Sequence, residues 1–300
     1  MATRGKHAQA LTAALALMAG GPALAASPAA DLFYQRAMMT AADSACRLFA
    51  PDVATALAAS KAQARGAALR SGADPASLAA AEAQASAAGA ADCRSPAIAA
   101  AAQQVRAAFA GYAHLDHMDF PGEFASWLAE RPAADTETRW RLSQRARFGW
   151  DVMLFGLAGH GDARTLTAVA SFADGAQPYG ARLVMRDAAA TDGPYIDARQ
   201  ADIDGHIPID GRLAPRSASR VFEAGEMTAA DKAVAAPDMA GAWSFEFPQA
   251  ATDALAQLDP RETVAVEFLF TGDGGESVRT AYVEVGDFAA AQAFQSIPQR

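Results

Sequence analysis

Apolar positions divide this chain into a stretch with helical spacing and a longer stretch with alternating spacing. In the first, Met39, Ala42, Cys46 and Phe49 recur at three- and four-residue steps, as do Ile98, Val105, Phe109 and Tyr112 at three-, four- and seven-residue steps. Residues at those spacings share one face of a helix. Alanine dominates the sequence between them, and alanine enters a helix without losing side-chain entropy. Pro51, Gly72, Asp74-Pro75 and Ser95-Pro96 break the run. The last pair has the form of an N-cap followed by proline at the first helical position. The pattern predicts helices at 30–48, 52–71, 75–90 and 96–113.

After residue 113 the period changes. Trp140, Leu142, Ala146 and Phe148 alternate with Arg139, Arg141, Arg145 and Arg147, which is the two-residue period of a half-buried strand. Further strands are expected at 150–157, 164–172, 179–186, 242–247, 263–271 and 277–285. The last two form a hairpin across the Gly-containing turn at 272–275. Residues 123–130, carrying Phe124, Trp127 and Leu128, read as a short helix, and Pro132 to Thr136 as a connector. Between 187 and 239, Asp, Pro and Gly interrupt every period, so long loops are expected. Without alternating βαβ units, the fold class is α+β: a helical region followed by an antiparallel sheet or sandwich.

The chain begins with an address. Arg4, Lys6 and His7 precede an apolar run over 10–19, a Gly-Gly-Pro break and Ala23-Leu24-Ala25. That order is a secretory signal peptide, and the run is shorter than the ~20 residues of a membrane span. Cleavage is expected after Ala25 or Ala26. The expected organisation is a signal peptide over 1–25, an alanine-rich helical region over 26–118, a connector over 119–137 and an acidic β-rich domain over 138–300. The mature protein is then periplasmic or secreted and keeps no transmembrane anchor. Export gives the two cysteines a role, because an oxidising compartment favours a disulfide between Cys46 and Cys93. Their spacing is not CxxC, so they do not form a redox motif.

The 300 residues carry 25 basic and 34 acidic side chains, a formal charge of −9. Losing residues 1–25 removes two basic groups and takes the charge to −11. Residues 26–113 are nearly neutral, and 114–300 hold a balance of −12. So acidic a chain is unsuited to coating nucleic acid.

The C-terminal part suggests a family. A short helix at 250–258 leads into the strand, turn and strand that end at Val285-Gly286-Asp287-Phe288, and an alanine-containing helix follows over 289–294. This resembles the end of the invasion-associated locus B family of exported bacterial proteins. The resemblance implies a small β-sandwich and export, and it carries over no catalytic residue. The family's cysteines have no counterpart in this half.

Four sets of residues could carry chemistry. His114, Asp116, His117 and Asp119 supply imidazole and carboxylate for a metal, or a polar junction capping a helix end. Asp202, Asp204 and Asp210 lie in a stretch like part of a calcium loop. With Asp202 at position 3, Asp204 and Gly205 fall correctly, but Gly211 stands where a bidentate glutamate belongs. A plain Asp-Gly turn is the simpler reading. Arg139, Arg141, Arg145 and Arg147 could grip a carboxylate, phosphate or acidic glycan, or pair with neighbouring acids. The four tryptophans read as core residues. Hydrolase and phosphate-loop motifs are missing. The expectation is a non-enzymatic exported protein that needs no cofactor and binds an envelope protein or glycan. The alternative is an envelope hydrolase or metal-dependent protein using the loops at 114–119, 159–162 and 202–210.

Overall fold

A computed structural model describes residues 27–131, 137–161, 163–272 and 274–297. The segment 1–25, expected to be a signal peptide, and the expected connector at 132–136 lie outside them. The fold is α+β. Four helices come first: α1 (Pro28–Cys46), α2 (Pro51–Arg70), α3 (Pro75–Ala90) and α4 (Pro96–Phe109). Each begins with proline, whose fixed φ suits the first turn and whose missing N–H would have no partner there. The Ser27 and Asp74 side chains cap α1 and α3 by accepting from Ala30 N and Ser77 N. Ser95, expected to do the same for α4, makes no side-chain cap bond.

Small residues let these helices approach closely. Ala42, Ala81 and Ala85 are buried between them. A Cβ on Gly89 of α3 would come within 2.2 Å of the Met38 carbonyl of α1. The expected disulfide is present: Cys46 ends α1, Cys93 lies just before α4, and their Cα atoms are 5.5 Å apart.

Eleven strands follow among the described residues, all paired antiparallel. One sheet has the order β1-β2-β3-β4-β5-β9-β8 and the other β11-β10-β6-β7. The first contains β1 (His117–Phe120), β2 (Trp127–Glu130), β3 (Arg139–Phe148), β4 (Asp151–His160), β5 (Ala163–Ser171), β8 (Thr228–Ala229) and β9 (Trp243–Phe247). The second contains β6 (Gly180–Arg186), β7 (Ser219–Glu223), β10 (Thr263–Gly272) and β11 (Gly275–Glu284). Their inner faces meet over Leu142, Phe155, Leu166, Phe245, Phe268 and Val283. Met39, Leu57, Val105 and Phe109 of the helices belong to the same core. Helices α5 (Gln249–Leu255) and α6 (Phe288–Gln295) complete it, with Phe288 and Phe294 packed on Trp127 and Phe120.

Two local expectations need correction. Residues 123–130 are not a helix but a turn leading into β2. Trp127 and Ala129 are buried while Leu128 and Glu130 face solvent, which is strand alternation. The turn forms because Glu284 carries its two oxygens to the backbone N–H groups of Glu123, Phe124 and Ala125. The second correction is a β-bulge in β3 between Trp140 and Leu142. Gly156, paired with Ser143 just past the bulge, has φ 154°, and a Cβ there would meet the Leu142 carbonyl at 2.0 Å. The bulge inverts the facing of what precedes it. Trp140 therefore packs outside, against Ala158, Val169 and Val234, while Leu142 points inward.

Residues 284–287 join every layer. Gln144 of β3 bonds both backbone groups of Glu284. The Val285 carbonyl accepts from the Trp127 indole, and Gly286, at φ 48°, turns the chain. Asp287 then takes a bidentate ion pair from Arg70 at the end of α2, with N···O distances of 2.8 and 3.0 Å. Replacing Cys46 and Cys93 by serine should lower unfolding free energy by about 4 kcal/mol, given the 47-residue separation they close. Urea denaturation with and without reductant measures this; matching midpoints for wild type and variant without reductant would contradict it.

Candidate functional site

Sandwich loops gather at two ends, and one end presents an aromatic side chain. The β3–β4 hairpin closes in two residues, because Phe148 pairs with Asp151. Gly149 takes φ 62°, the left-handed conformation such a turn needs. Trp150 occupies the tip and is 91% exposed. It was expected to open the strand at 150–157; that strand begins one residue later, at Asp151, so Trp150 is a turn residue and the indole projects into solvent.

The base of this turn is rigid. Asp151 is buried, accepts from Ala173 N at 2.9 Å and receives Arg279 Nη1 at 3.1 Å. Arg279 also donates to both oxygens of Asp174, at 3.1 and 2.6 Å. Its guanidinium lies over Phe270 and Phe172, 4.6 and 5.6 Å from the ring centroids. One arginine thus roofs the aromatic end of the core and ties β11 to the β4 and β5 ends. The Arg279 hydrogen bond, aided by Ala176 N–H, holds the Asp174 carboxyl at about 2. Beside this turn, Tyr179 is half-exposed and donates its hydroxyl to Glu276 at 2.8 Å. Val278, across from Leu269, is half-exposed too. The charged groups are saturated by one another, so Trp150 is the feature here with no intramolecular work.

The arginine row does not survive as one face. The bulge separates it, leaving Arg145 and Arg147 on the outer face, where Arg145 pairs with Asp238 at 2.5 Å. Arg139 turns toward the inner side instead, and Arg141 is the unpaired residue of the bulge. There Arg139 lies in register with Gly159, and Gly159 with Arg164 of β5. Arg141 is buried and donates Nε to the Gly159 carbonyl at 3.4 Å. Arg164, which the sequence reading passed over, donates to Gln295 of α6 at 3.1 Å.

The proposed metal set of His114, Asp116, His117 and Asp119 is not gathered. His117 and Asp119 share the exposed side of β1, while His114 sits in a preceding 3₁₀ turn. Among the described residues, three potential ligand atoms approach one another only at Asp202, Asp204 and His206, all exposed. Asp202 there accepts from the backbone N–H groups of Asp204 and His206, an Asp-Gly turn closed on itself. Asp210 is outside the group and lies in the next 3₁₀ turn. Trp127 is buried, and Trp140 and Trp243 pack against the core.

The loops proposed for a hydrolase are dispersed. Residues 114–119 lead into and form most of the edge strand β1, 159–161 lie at the turn from β4 to β5, and 202–210 run into the 3₁₀ turn that contacts β10 and β11. Asp162 lies outside the described residues. No family model matches the chain, and no curated protein or solved structure matches it.

Asp174 supplies a pH test. A folded value of about 2 against the ordinary 3.8 means its link to Arg279 is fully formed above 3.8. The link is lost as pH falls from there through 2. Carboxyl NMR should give a midpoint near 2 in wild type and a return toward 3.8 in Arg279→Gln; equal midpoints would contradict the assignment.

Proposed function

We propose that this chain is an exported, non-enzymatic interaction module of a bacterial envelope. It docks a partner protein or envelope glycan on the sandwich end around Trp150. The reading rests above all on the exposure of that indole at the tip of a braced two-residue turn. An indole in an interface removes roughly 150–250 Å² from water. At about 25 cal/mol per Å², leaving it exposed forgoes several kcal/mol of stabilisation. A rigid aromatic loses little rotamer freedom on contact, and tryptophan is enriched among the residues that dominate binding energy. Asp151, Asp174 and Arg279 set its height and direction without themselves being free to react.

Support for export comes from the leader pattern at 1–25 and from the disulfide. No helix among the described residues is long and apolar enough to cross a membrane. The resemblance of residues 250–294 to the invasion-associated locus B family points to the same compartment. A metal-dependent protein is the second reading, favoured by the grouping of Asp202, Asp204 and His206 within 4.8 Å.

The test compares wild type with Trp150→Ala, using capture from envelope extract and co-sedimentation with purified cell-wall sacculi. Trp150→Ala should weaken capture at least tenfold in one assay while thermal stability stays unchanged. Equal capture by both proteins would overturn the docking assignment. Stoichiometric calcium or zinc in purified protein, lost in Asp204→Ala, would favour the second reading.

A further inference from the structure

Among the described residues each sheet ends in two edge strands, and three of these four are short. β1 has four residues, β8 two and β7 five, whereas β11 runs for ten. Folded proteins blunt their edges with brevity, proline, lysine or a bulge, because an open edge pairs with other chains. β11 uses none of these. Gly275–Glu284 contains neither proline nor lysine, and its register against β10 is unbroken. Its inward charge, Arg279, is folded onto Asp151 and Asp174 and leaves the edge accessible.

Glu284 shows which main-chain groups look outward. Its N–H and carbonyl both bond the Gln144 side chain, so they face away from β10. The direction alternates along an antiparallel ladder. The N–H and C=O groups of Glu276, Val278, Thr280 and Tyr282 therefore face outward too, and among the described residues they have no hydrogen-bond partner. Residues 275–278 are exposed, with Val278 at 47%.

A second copy of the chain fits this edge in one register. Pairing β11 with β11 about a two-fold axis at Thr280 would oppose Glu276 to Glu284, whose outward groups Gln144 already holds. An axis at Arg279 sets one arginine directly opposite the other, an unfavourable like-charge pair. An axis nearer the turn engages fewer of the free groups. The axis at Val278 opposes valine to valine, Ser277 to Arg279 and Glu276 to Thr280, with no like charges facing. It forms about six main-chain hydrogen bonds between the copies.

We propose that two copies of this chain associate edge to edge through β11, about a two-fold axis at Val278, joining their four-stranded sheets into one. This contact is independent of the docking at Trp150. It is small beside a standard interface, and both copies are net acidic. The association is therefore concentration-dependent and tightens with salt, which screens the repulsion.

Sedimentation velocity follows the purified protein from micromolar to near-millimolar concentration at low and high sodium chloride. The expected result is a monomer–dimer equilibrium whose dissociation constant falls as salt rises. Val278→Lys puts like charges on the axis at an exposed position, and should weaken the dimer at least tenfold with an unchanged melting temperature. Val221→Lys, on the opposite edge strand β7, should leave the dimer as it is. Oxidation of Val278→Cys reports the register, because opposed Cα atoms in such a pair stand about 5.5 Å apart, within disulfide reach. It should give a covalent dimer, whereas Thr280→Cys, opposed to Glu276, should not. A monomer throughout the range, a dimer indifferent to Val278→Lys, or equal cross-linking by the two cysteine variants would overturn the proposal.

Discussion

A single buried carboxylate, that of Glu284, determines how the layers of this protein meet. The residue is 1% exposed, and its carboxylate accepts from three consecutive backbone amides at the 123–125 turn. Removing it would leave those part-buried donors without their protein partner, at a cost of at most about 1–3 kcal/mol apiece. The next three residues extend the same junction: Val285 receives the Trp127 indole, Gly286 reverses the chain, and Asp287 receives Arg70. Sheet, opposite sheet and helical layer are thus registered against one another within four residues. This explains why helices that bury mostly alanine still hold their place. Their own packing removes little apolar area, but α2 is seated on α6 by a bidentate ion pair with Asp287 2% exposed on its side chain.

Arginine does most of the long-range joining. Arg186 pairs with Glu262, Arg212 with Glu123, Arg182 with Glu267 and Arg279 with two aspartates. Buried pairs of this sort contribute less to net stability than to the uniqueness of an arrangement, because desolvation offsets their attraction. In a region with a formal balance of −12, such pairing also offsets part of the acid surplus.

Much of the fold was legible because it follows local rules. Proline at Pro51, Pro75 and Pro96 marks three helix starts directly, and apolar, β-branched runs between glycine-containing turns mark β4, β5, β6 and the β10–β11 hairpin. The disulfide followed from compartment and cysteine count. What escaped the sequence reading depends on partners distant in the chain. Phe120-Pro121-Gly122 reads as a turn, but nothing near residue 123 announces that the turn runs on through 125 with its amides satisfied by Glu284. Nothing near Arg141 announces a bulge, because its enabling glycine, Gly156, is on the next strand. That one bulge moved Trp140 outward and split the arginine row. The exposure of Trp150 did leave a signal: Gly149 before it is a turn residue between two strong strands, and a hairpin tip has no core to enter.

The placement of the covalent bridge has a mechanical meaning. Cys46 and Cys93 bracket α2 and α3, so tension applied to the chain's two ends travels through the sulfur–sulfur bond and bypasses both helices. Pulling can peel α1 or α4 away, but it cannot extend the enclosed segment. The seat of α2 on the sandwich is thereby shielded from load.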